Sequence, residues 1–151
     1  MDTPEEIYPM PSFPMLNVTD LAASARWYQE ALGFRHIFTM SGPDGAPRLV
    51  HLRWVKYADV LLGSRPAPPG ARGVGVGLHF SAYLAERTVD EIAAQAAAAG
   101  ARIVAPPAEM PWNARECTIA DPDGYLLTFS QPVNIHRDFD EVIAEAAKAE
   151  S

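Results

Sequence analysis

Four histidines, a single cysteine and a scatter of aromatic rings are the first groups in this chain to weigh for chemistry. His51 sits in Leu49-Val50-His51-Leu52 and His79 in Gly77-Leu78-His79-Phe80, both inside apolar, strand-like runs. An imidazole titrates near neutrality and is costly to bury unpaired. Each is therefore either satisfied by local polar groups or turned toward a bound molecule as hydrogen-bond partner, acid or base. Local satisfaction is the simpler reading for His51. A three-group site of His51, His79 and Glu116 can be drawn, but nothing in the spacing demands it. His36 and His136 lie near element ends, and Cys117, between apolar residues, reads as a buried, inert thiol. Asp121 and Asp123 sit in Asp-Pro-Asp-Gly and are turn residues first. The run Gly73-Val74-Gly75-Val76-Gly77 precedes a strand and has Leu78 where a dinucleotide fingerprint needs its third glycine. No Walker, G-x-S-x-G or H-E-x-x-H pattern occurs.

Aromatic supply is richer. Phe13, Trp54, Phe80, Tyr83, Trp112 and Phe129 fall on or beside strand-like runs. Phe80 and Phe129 read as core. Trp112 follows Met110-Pro111 in a loop, where an indole offers a flat face to a planar or cationic group. Met15 and Met40 suit the lining of an irregular cavity, or ordinary core.

The totals narrow the class. The 151 residues suit one domain able to bury about 70% of its unfolded surface. Twelve basic against nineteen acidic residues leave a net charge of −7, which argues against a sequence-independent nucleic-acid binder and against anionic membranes. One cysteine excludes an intrachain disulfide framework. No run reaches the roughly 18 apolar residues of a membrane span, and the acidic opening Met-Asp-Thr-Pro-Glu-Glu lacks a signal peptide's basic and apolar regions. A cytoplasmic protein is expected.

The elements that must position these groups come twice. Residues 1–12 hold Pro4, Pro9 and Pro11 and read as an extended arm. Then Pro14–Val18 reads as a strand. Asp20 caps a helix with Leu21, Ala25, Tyr28 and Leu32 on one face and Gly33 at its end. Strand runs follow at 34–40, 48–55 and 59–64. The Pro- and Gly-dense stretch 65–77 breaks the pattern, with the linker placed at 65–73. The order then recurs: a strand at 76–83, a helix over Val89–Ala99 opened by the capping box Thr88/Glu91, and strands at 101–104, 114–120 and 125–131. Two β-α-β-β-β modules, 13–64 and 74–131, thus make one domain over 13–131. Residues 132–151 carry a C-terminal helix whose stripe Phe139, Val142, Ile143 and Ala146 must be buried in the domain or in a dimer.

The phrase Met15–Phe34, the doubled element order and Pro111–Phe129 resemble the vicinal oxygen chelate superfamily: glyoxalase I, extradiol dioxygenases, fosfomycin-modifying enzymes and the bleomycin-resistance proteins. The style is closest to the bleomycin-resistance type, which has Pro-Trp-Gly where this chain has Pro111-Trp112-Asn113. The resemblance implies an α+β fold in which two βαβββ modules form a cup-shaped mixed sheet around a cavity. It also implies four positions that hold a divalent ion in metal-dependent members. Here these fall on Phe13, on or beside Leu61, on Gly77 or His79, and on Thr128. A catalytic metal needs three protein ligands, so the expectation is no metal and no cofactor. The resemblance then implies a metal-free protein binding or sequestering a small molecule, aromatic or cationic, such as an antibiotic or natural product, in a homodimer. Phe13, Met15, His51, Trp54, His79 and Trp112 are the candidate ligand contacts. The alternative is an enzyme: a divalent-metal lyase or dioxygenase, or a metal-free isomerase or cyclase with His79 as acid or base.

Overall fold

The computed structural model describes residues 6–65 and 76–149, so most of the expected linker lies outside the described residues. The order is β1 (Met15–Asn17), α1 (Leu21–Leu32), β2 (Arg35–Ser41), β3 (Pro47–Arg53), β4 (Asp59–Gly63), β5 (Gly77–Ser81), α2 (Val89–Ala98), β6 (Arg102–Met110), β7 (Ala114–Ala120), β8 (Leu126–Pro132) and α3 (Phe139–Ala149). They form two four-stranded sheets, β1-β4-β3-β2 and β5-β8-β7-β6. In each, the first strand pairs parallel with the last and the other pairs are antiparallel, so the doubled βαβββ pattern is a doubled mixed sheet.

Helix α1 forms where the sequence places it. The Asp20 carboxylate accepts from the Ala23 N–H at 3.0 Å, satisfying one of the orphan donors of the first turn. Gly33 closes the helix at φ +78°, a left-handed conformation costly for a residue with a Cβ. The capping box of Thr88 and Glu91 is complete in α2, whose Val89, Ile92, Ala93 and Ala96 are buried. α1 packs on β2–β4, α2 on β6–β8, and the two helices touch. Strand alternation sends Val50, Leu52, Val60 and Leu62 from one sheet, and Cys117, Ile119, Leu127 and Phe129 from the other, into one core. Each fully buried leucine there contributes roughly 1.5–3 kcal/mol by leaving water.

Two elements differ from expectation. Strand β6 runs on through Pro106 and Pro107, well past the expected end at residue 104. It is an edge strand, and its register with β7 slips on either side of Ala105, so two residues without an N–H remove no required bond. Helix α3 forms, with Asp138 accepting from the Asp140 N–H at 3.0 Å. Of its expected buried stripe only Val142 is buried, while Phe139 and Ile143 are exposed.

Candidate functional site

A cleft of about 490 Å³ opens between the β3–β4 turn and β5, where the two modules meet. Trp54 and Phe80 form part of its wall, with Tyr57 and Asp59 on the first module, His79 on the second, and Ser12 of the N-terminal segment alongside. The Trp54 indole is fixed from behind: its Nε1 donates to the Leu32 carbonyl at 3.0 Å, and its ring meets Phe80 and Phe129 edge-on at 5.5 and 5.2 Å. Trp54 and Phe80 are themselves largely buried in the core, while Lys56, Asp59, His79 and Ser81 bring polar groups to the lining, so the cleft suits a molecule with an apolar part and a polar one. His79 lies exposed on β5 directly beside Thr128 of β8. The Thr128 hydroxyl is engaged with that of Thr118 at 2.8 Å.

Next to the cleft, on the face of β3 and β4 away from the helices, is a buried charged cluster. The Arg53 Nε and Nη2 both donate to Asp59 at 2.9 Å, a forked pair. His51 Nε2 meets the same carboxylate at 2.5 Å. These hydrogen bonds to Asp59 are the chief cause holding the Arg53 guanidinium above its usual pKa. The two residues missed from sequence, Arg53 and Asp59, carry a readable signal: both are charged positions inside apolar strand runs, and Arg53 shares the face of His51 at a spacing of two.

The six expected contacts divide. Trp54 and His79 line the cleft. His51 is buried against Asp59, with Phe38 edge-on at 5.6 Å. Met15 sits with Met40 in a separate hollow of about 400 Å³ on the first sheet. Phe13 is exposed just before β1. Trp112 is exposed in the β6–β7 turn, its Nε1 donating to Glu116 at 3.1 Å. Asn113 takes φ +61°, a backbone state that asparagine tolerates, and its amide donates to the Asn134 carbonyl at 2.7 Å. Burial pushes the Cys117 thiol up to about 11, as an inert core residue requires.

The positions that the resemblance assigns to a divalent ion carry a donor set that does not fit one. Leu61 pairs with Met15 across β1 and β4, and neither Leu61 nor Phe13 offers a donor. Thr128 is committed to Thr118, and His79 stands as one imidazole where three ligands are needed. Among the described residues no group of three or more His, Cys, Asp and Glu is placed to share an ion.

A family model described as Glyoxalase/Bleomycin resistance protein/Dioxygenase superfamily matches residues 12–129. Among solved structures, TioX from Micromonospora sp. ML1 is 25% identical with a TM-score of 0.62, over 80% of this chain and 96% of that one. A glyoxalase/bleomycin resistance protein from Streptomyces sp. CB03234 is 22% identical with a TM-score of 0.59, over 79% of this chain and 97% of that one, a likeness of fold. A curated relative, putative glyoxylase CFP32 of Mycobacterium tuberculosis (strain CDC 1551 / Oshkosh), is 35% identical over 80 residues, 53% of this chain. The match spans 30% of that relative's length.

Proposed function

The chain belongs to the Glyoxalase/Bleomycin resistance protein/Dioxygenase superfamily, and from that premise we propose that it binds a flat, largely apolar small molecule in the seam cleft without a metal. The observation that carries this is the cleft itself, lined in part by Trp54 and Phe80, with His79 exposed among its polar groups. Affinity would come from apolar burial and stacking, with His79 fixing orientation. An antibiotic or natural product is the ligand class we favour, a fold neighbour being described as a glyoxalase/bleomycin resistance protein. Sequestration in a cytoplasmic homodimer completes the proposal.

The test uses a chain carrying Trp27→Phe and Trp112→Phe, so that Trp54 is the only indole. Flat polycyclic natural products should quench it saturably, and adding His79→Ala should weaken binding about tenfold, or ~1.4 kcal/mol. In the unaltered chain, Trp112→Ala should leave affinity within twofold. Absence of saturable quenching across such a panel sinks the reading, as does a stoichiometric divalent ion retained by the purified chain. A second reading, metal-free acid–base catalysis, draws on the exposure of His79 at the cleft. Turnover of a bound ligand with a pH profile lost in His79→Ala would establish it in place of sequestration.

A further inference from the structure

Four successive residues of β5, Leu78 to Ser81, border the cleft. Side chains of a strand alternate between its two faces, so only a space beside the strand's edge touches all four. The cleft therefore runs along a sheet edge: β5 pairs with β8 on one side and is the outermost strand of its sheet. Across the cleft stand Trp54 and the β3–β4 turn.

Which main-chain groups face the cleft follows from the ladder. The Ala82 N–H donates to the Ser130 carbonyl at 2.8 Å, and a parallel pair bonds alternate residues of each strand. Leu78 and Phe80 thus bond to β8. His79 and Ser81 turn their N–H groups, and Gly77 and His79 their carbonyls, to the free edge. Among the described residues no hydrogen bond takes up these four groups. Edges elsewhere are blunted: β2 changes register twice along β3, and β6 carries Pro106 and Pro107. Strand β5 has neither device, since its register with β8 is unbroken from Gly77 to Ser81 and it contains no proline. Its edge lies in a recess of about 490 Å³, room for a short single chain rather than for another sheet.

We propose that the free edge of β5 pairs with the amide groups of an extended, peptide-like ligand, adding it to the second sheet as a short strand. This rests on the reading of the cleft as a ligand site and specifies what its polar side recognises. The outward N–H and carbonyl groups recur every second residue, about 6.6 Å apart, and so fix the ligand's register. Its side chains alternate as those of β5 do. One set lies on the face of Leu78 and Phe80, where the Phe80 and Trp54 rings meet at 5.5 Å, and the other on the face of His79. The ligand class is thus an apolar ring carrying a linear chain of amides. A hydrocarbon chain of equal length is disfavoured, because it leaves the edge groups covered and unbonded.

The experiment uses 2-naphthoyl-Ser-Leu methylamide, its three singly N-methylated forms and 2-methylnaphthalene, with affinities measured by calorimetry on the full chain. Successive N–H groups of an extended chain point to opposite edges, so strand pairing makes the sensitivity alternate. Methylating the middle nitrogen should weaken binding about tenfold and either outer one less than twofold, or the reverse. Ser81→Pro removes an edge N–H without breaking the ladder. It should weaken the amide probe about tenfold relative to Ser81→Ala, and change 2-methylnaphthalene less than twofold. Ser81→Ala controls for the hydroxyl, which accepts from the Leu84 N–H at 3.2 Å. In the unaltered chain, the saturating amide probe should slow hydrogen exchange at the His79 and Ser81 amides about tenfold, with Leu78 and Phe80 unchanged. That readout needs no variant to fold. If 2-methylnaphthalene binds but the amide probe shows neither alternation nor protection, the strand proposal fails and the cleft reading stands. His79 and Ser81 amides already protected in the free chain would also overturn it, the edge then being covered by a second copy. If no probe binds, both fail.

Discussion

Asp59 accepts from Arg53 twice and from His51 once, and its side chain is fully buried. Removing one partner from such a cluster leaves an uncompensated charge in a poorly solvated place. Asp59→Asn should therefore cost about 3–5 kcal/mol in urea unfolding. A loss under about 1 kcal/mol would mean that water reaches Arg53 freely. The cluster is half legible in the sequence. His51 stands out as a histidine in an apolar strand, and local satisfaction is its simpler reading, which the bond to Asp59 matches. Asp59 lies eight positions on, across a hairpin whose register alone brings Asp59 opposite Arg53. Trp112 is the reverse case. Its residue type suggests a ligand platform, but the turn that holds it directs its Nε1 to Glu116 and ties Asn113 to the segment after β8.

Among the elements, helices are the most legible, because caps and apolar spacing are written locally. Asp20, Gly33 and the Thr88/Glu91 box all stand where the sequence puts them. Strand ends are less so: β6 passes through two prolines because it is an edge, a fact about its neighbours rather than its own residues. Helix α3 has a readable period but no readable partner. It packs against no other element among the described residues, and Val142 is its one buried side chain. A chain ending at Asp138 should thus keep its fold and lose no more than about 2 kcal/mol in thermal or urea unfolding. A loss above about 5 kcal/mol would place the Phe139 and Ile143 stripe in an interface.

At the scale of the whole molecule, the outward faces of the two sheets carry Met15, Phe38 and Met40 on one side and His79 on the other, all open in the single chain. A second copy covering the first of these faces is the expected arrangement. Sedimentation should show a dimer, and Met40→Glu, placing a charge on that face, should shift it to monomer. A monomer across the accessible concentration range would remove the dimer from the proposal and leave the seam cleft, which lies within one chain, as the site.

The sequence by itself determined the doubled βαβββ order, the helix caps and faces, and the family resemblance. All of these rest on residue identity and short-range spacing. Only the tertiary structure decided which aromatic side chains wall a cleft, that Arg53 and Asp59 join His51, and that the N-terminal segment reaches them from 47 residues away. Those contacts depend on how two sheets and an arm are brought together, and chain closure over such distances leaves no local pattern to read.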